Sequence, residues 1–244
     1  MKYISLGYFC SIAIDLEKLG LRTESSPFDW VISDFEGVML AIQERFVDFL
    51  NDRYLAQSRK EAAHYKNTKY NISFFHDFDR YIPLKEQLPK VQEKYNRRIH
   101  RFYQSISEPT LFIRYISDQE MVEGKSKELI YIEQNYEQIL AVLKSFHAKN
   151  EILFIANEGV SSDKLVIYPV QKDKNDLVAR SPLYKNAVLL EQFSRIDLPG
   201  KQENIRRYRQ KEKDKTKIFY RLKSKVTAIG KRLFLKEYIH ESRY

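Results

Sequence analysis

Apolar residues change their spacing abruptly at the start of the chain. Residues 2–6 form a short apolar run ended by Gly7, and residues 11–19 then place Ile12, Ile14, Leu16 and Leu19 at helical positions before Gly20. A strand-like pattern followed by a helix-like one, with glycine at each stop, predicts strand, turn and helix in succession, Gly20 being the C-terminal cap. Cys10 stands in the turn.

Turn formers around Pro27 follow, and residues 35–50 then repeat apolar positions (Phe35, Val38, Met39, Ile42, Phe46, Phe49) at the spacing of an amphipathic helix. Residues 71–78 read as a strand, 84–105 as a charged helix, 110–116 as a strand flanked by Pro109 and Arg114, and 131–146 as a long helix. Residues 151–156 and 164–169 read as further strands. Strands separated by helices predict an α/β (or α+β) domain with at least partly parallel pairing. Neither a repeat nor a low-complexity stretch precedes residue 200. After Pro199-Gly200 the composition turns to Lys, Arg, Glu and Gln, which sets a domain over residues 1–200 and a helical tail over 201–244.

Charge sharpens that division. The net +9 is carried by the tail, where 15 basic residues meet 5 acidic ones, against 27 and 28 before position 201. A nucleic-acid groove needs basic residues on the folded body, so nucleic acid is not an expected partner. From 215 to 238, Ile218, Phe219, Leu222, Val226, Ile229, Leu233 and Phe234 recur at three- and four-residue steps among Lys and Arg. This pattern suits a helix lying on an anionic membrane surface. No window is long and apolar enough to span a bilayer. The first residues lack the marks of a signal peptide, and a single cysteine forms no internal disulfide. The expected location is cytoplasmic, peripheral at the inner membrane through the tail.

Three features could carry chemistry. Cys10 precedes the first turn of a helix, where free N–H groups and the helix dipole can stabilise a thiolate; packing as a small apolar side chain is the simpler role. His76 ends an apolar run and is followed by Asp77 and Asp79, so a carboxylate could orient its ring as in a nucleophile–base–acid set; a structural histidine is the simpler role. Asp29 lies between Phe28 and the only tryptophan, Trp30, as a triad acid, a substrate-orienting group or a helix cap. G-x-G-x-x-G, the P-loop pattern, C-x-x-C and H-E-x-x-H are all missing, so neither a cofactor nor a metal is expected.

Together, Ser5-Leu6-Gly7-x-x-Cys10, Gly20-Leu21-Arg22, Ser26-Pro27-Phe28-Asp29-Trp30 and Phe75-His76-Asp77-Phe78 resemble a bacterial family of unknown function catalogued as papain-like cysteine peptidases. The likeness spans about residues 1–160. It implies Cys10 as nucleophile and His76 as base, with Asp77, Asp79, Asp118 and Asn157 competing as third member. Asp77 comes first and Asp29 second as the acid that orients His76. Because Gln is missing just before Cys10, backbone N–H groups would have to stabilise the oxyanion.

The first expectation is therefore a cysteine hydrolase or acyl-transfer enzyme acting on a peptide, acyl or glycan substrate. Its rival is a non-catalytic, glycan-handling accessory protein of envelope polysaccharide biosynthesis, with Cys10 and residues 27–30 lining a pocket. A third expectation is an α/β hydrolytic fold with Cys10 where serine is more usual. Cys10 at the carboxyl edge of a parallel sheet favours this third form, and a cysteine helix packed on an antiparallel sheet favours the papain-like one.

Overall fold

The computed structural model describes residues 1–57, 64–174 and 176–217. Two sheets meet around the cysteine turn. In the first, β1 (Lys2–Ser5), β6 (Thr110–Ile116), β9 (Glu151–Asn157) and β10 (Ile167–Val170) run parallel in that order. The central strands read as near-continuous apolar runs because both of their faces are covered. Tyr3, Ile113, Tyr115 and Ile155 face α1 (Ser11–Lys18), α5 (Pro182–Lys185) and α6 (Ala187–Arg195). Ile4, Phe112, Ile116 and Phe154 face α2 (Phe35–Gln43), α3 (Leu84–Ile106) and α4 (Lys127–Phe146).

The second sheet is antiparallel, in the order β2 (Val31–Ser33), β5 (Ile72–Phe74), β4 (Tyr65–Asn67), β3 (Leu55–Gln57). Val31, Ile72 and Phe74 turn into the core, while Ile32 and Ser73, paired in register, alternate to the other face. The mixed α/β class is as expected, but the run at 71–78 gives only a three-residue strand, and parallel pairing applies to one of three sheets among the described residues, the third being the antiparallel pair β7 (Met121–Val122) and β8 (Lys125–Ser126). The helix expected over 35–50 stops at Gln43, because Arg45 and Phe46 are left-handed (φ 54° and 57°). That reversal places Phe46 and Phe49 in one cluster with Phe28 and Phe102, with contacting ring centres 5.1–6.3 Å apart. The strand expected at 164–169 forms later, as β10.

α1 is anchored at its rear. Fully buried Asp15 accepts from Leu183 N (3.1 Å) and from Lys18 Nζ (3.3 Å), which also donates to Ser181 Oγ (3.0 Å). Burial, opposed by Lys18, pushes the Asp15 carboxyl up to about 6. Residues 201–217 are helical and lie along α1, with Asn204 Nδ2 donating to Gly20 O (3.2 Å) and Lys211 paired with Glu17 (3.0 Å). The amphipathic pattern expected over 215–238 falls, from residue 218, outside the described residues. Among the described residues, no helix is long and apolar enough to cross a membrane.

Candidate functional site

β1 ends in a turn that an ordinary chain would avoid. Gly7 (φ 82°) and Tyr8 (φ 60°) are both left-handed, and a tyrosine there costs free energy that its surroundings must offset. Gly7 admits no replacement in this geometry, since a Cβ would lie 2.6 Å from Ser33 Oγ. That oxygen accepts from Tyr8 N (3.2 Å).

The turn is held from below by Arg114, whose side chain is fully buried. Nε and Nη2 donate to the two Glu128 oxygens (2.8 and 2.7 Å), Nη1 to Leu6 O and Ser33 Oγ (2.9 Å each), and Nη2 also to Ser33 O (2.7 Å). All five guanidinium N–H groups are thereby used, tying together the end of β1, β2 and the start of α4. Sequence reasoning treated Arg114 as the flank of a strand. A lone charge inside Leu111-Phe112-Ile113-Arg114-Tyr115-Ile116 was the signal available, because a buried charge needs a built partner.

Cys10 follows this turn as the N-terminal cap residue of α1 and is half-buried. The Cys10 side chain makes no capping hydrogen bond to the helix. Burial pushes the thiol up, a larger effect than the opposing backbone hydrogen bond. Burial thus works against the thiolate stabilisation expected at the helix start.

The other predicted residues lie on two further segments, the loop before β2 and the residues after β5. His76 is exposed just past β5, with its ring edge-on to Trp30 (centres 6.3 Å apart). It makes no hydrogen bond, to Cys10 or to a carboxylate, among the described residues. Asp77 faces away, accepting from Tyr95 Oη (2.8 Å) and pairing with Lys94. Asp29 is buried, with Oδ2 accepting from Arg22 Nη1 (2.6 Å) and Ser26 N (2.9 Å). Burial pushes the Asp29 carboxyl up, against the pull of Arg22. Asp79 accepts from Tyr81 N (2.8 Å). Neither Asp77 nor Asp29 touches the imidazole, because each has a closer cation.

The remaining two competitors lie on the same edge of the parallel sheet as the cysteine turn. Asp118 Oδ2, just past β6, accepts from Asn157 Nδ2 (2.8 Å) at the end of β9 and from Lys172 Nζ (3.2 Å). A cavity of about 280 Å³ opens at this edge beside Tyr8, lined by Ser33, Asp34, Lys66, Ser73, Ser117 and Tyr131 among others. Its wall stops at Tyr8, two residues short of Cys10. A cavity of about 330 Å³ lies at the opposite edge, by Lys2, Tyr3 and Glu108. Open α/β sheets bind ligands beyond the carboxyl ends of their strands, so the smaller cavity is the candidate site. Cys10 at the carboxyl end of a parallel strand is the arrangement set out above for an α/β hydrolytic fold with a cysteine nucleophile.

Comparison with known proteins agrees with the motifs. The family model described as "Putative papain-like cysteine peptidase (DUF1796)" matches residues 1–157. An uncharacterized protein, R408, of Acanthamoeba polyphaga mimivirus is 31% identical over 181 residues, which cover 66% of this chain and 79% of the viral one. That relative is viral, so the match does not place the chain in a bacterium. No solved structure matches. With well over half of its length matched by the family model, the chain belongs to the DUF1796 family.

Proposed function

We propose that the protein is a cysteine-dependent hydrolase or acyl-transfer enzyme with Cys10 as nucleophile and His76 as base. The carrying observation is the Gly7–Tyr8 turn with Arg114 beneath it. Two consecutive left-handed residues and a buried charge both cost free energy, and a cysteine serving only as packing needs neither. They make sense where one side chain has to be presented in one orientation.

In this reading the substrate enters the cavity beside Tyr8 with its carbonyl toward the start of α1. The resting thiol passes its proton to the His76 imidazole as Sγ bonds to the carbonyl carbon, and N–H groups of the first helical turn receive the oxyanion. Collapse breaks the bond to the leaving group, which takes the proton from the imidazolium and leaves a thioester on Cys10. Water, deprotonated by His76, then releases the acid and restores the thiol; another nucleophile in place of water makes the same site a transferase.

The raised thiol and the lack of a Cys10–His76 hydrogen bond favour a second reading, in which Cys10 only borders a binding pocket, for a glycan among other polar ligands. Chloroacetamide alkylation of Cys10 across pH 5–9, in wild type and His76→Ala, separates the two. A cysteine enzyme predicts slower labelling in His76→Ala below the ordinary thiol pKa of about 8.5. Superimposable profiles would establish the binding-pocket reading.

A further inference from the structure

Among the described residues, the exposed His76 ring meets the Trp30 ring. Trp30 in turn is fixed from the side of Arg22, whose guanidinium lies 5.7 Å from the indole centre. Arg22 has little freedom of its own. Its side chain is about nine-tenths buried, with Nη2 on Glu17 Oε2 (2.5 Å) and Nη1 on both Asp29 Oδ2 (2.6 Å) and Ser25 Oγ (3.3 Å). Asp29 is held by Ser26 N, so one short loop closes on itself through a bidentate-capable cation.

We infer that Trp30, fixed by the Arg22–Asp29 pair, is the positioning residue for His76, and that Asp29 serves the base through Arg22 and the indole without contacting the imidazole. This inference rests on the proposed role of His76. It explains why Arg22, Asp29, Trp30 and His76, scattered over three segments of the sequence, converge on one contact chain. It also assigns a use to a buried ion pair that the packing of an aromatic loop does not require. Aromatic edge-to-face contact is weak but directional, which suits it to orienting a ring more than to stabilising the fold. The carboxylate that a triad would place against the histidine is here spent on the guanidinium behind the tryptophan.

The test is nuclear magnetic resonance of the imidazole protons in histidine-labelled full-length protein, paired with Cys10 alkylation by chloroacetamide. Perpendicular packing against an indole displaces the His76 proton resonances by ring current, and Trp30, as the sole tryptophan, gives its own fluorescence signal. Trp30→Phe is expected to keep part of the ring-current shift and alkylation within about twofold of wild type, since a ring remains. Trp30→Leu is expected to return His76 to the position of an exposed histidine and to slow His76-dependent alkylation about tenfold. Arg22→Lys should fall between them, because an ammonium keeps the charge but not the fork. His76 protons unmoved in Trp30→Leu, with a normal amide spectrum showing that the variant folds, would overturn the inference. So would protons that move with no change in alkylation rate while His76→Ala slows it. If His76→Ala itself leaves alkylation unchanged, the base role falls, and the resonance shift in Trp30→Leu alone supports Trp30 as the residue that places this ring.

Discussion

The turn carrying Cys10 and the strand end carrying His76 are built in opposite ways. Gly7 and Tyr8 are locked by a fully buried arginine with every N–H satisfied, and α1 behind them is anchored by a buried carboxylate. His76 projects from the exposed end of a three-residue strand and leans on one ring. The Cys10 side resists displacement, whereas the His76 side can adjust by small rotations about one contact.

The sharpest way to break that contrast is to remove the anchor. Arg114→Met leaves Glu128 buried without its cation, and urea unfolding should report a loss of about 3–5 kcal/mol, partly restored when Glu128→Leu is added. A loss below about 1 kcal/mol would mean that the turn holds itself.

Next in size is the rear of the cysteine helix. The folded state favours protonated Asp15, whose carboxyl is raised to about 6, so its contribution is fullest below the unfolded carboxyl value near 3.9 and is lost as pH rises through about 6. Two pH units correspond to about 3 kcal/mol. Asp15→Asn keeps an acceptor for Leu183 N and should flatten the stability profile between pH 4 and 6; an unchanged slope would place the titrating group elsewhere.

The smallest effect is expected at His76. His76→Ala should alter unfolding free energy by no more than about 0.5 kcal/mol, as for an exposed residue outside the core, even as it slows Cys10 alkylation. A loss above about 1.5 kcal/mol would show that the His76–Trp30 contact braces the fold and would erase the contrast between the two regions.

Local pattern carried a good part of this protein. The opening strand, turn and helix, the long α3 and α4, and the central β6 and β9 were all legible, because spacing and glycine stops act over a few residues and both central strands are buried on two faces. So was the cysteine's place at a helix start. The early end of α2 was not, since the reversal at Arg45 and Phe46 is set by rings from Phe28 and Phe102 that the periodicity of residues 35–50 does not contain. The acids show the same limit: Asp77 is next to His76 in sequence, yet the chain bends past β5 and its carboxylate turns away from the imidazole. Lys94 and Tyr95, from a helix that follows, take its carboxylate.

What the sequence determined by itself was the opening strand, turn and helix, the long α3 and α4, the central β6 and β9 with partly parallel pairing, and that one cysteine precedes a helix. Tertiary structure alone decided that Arg114 closes on Leu6, Ser33 and Glu128, and that Trp30 links Arg22 to His76. The reason is physical. Backbone propensity is paid out locally, but a buried charge or an aromatic contact chooses its partner from whatever distant segments the core brings within a few ångströms, and desolvation then forces the choice.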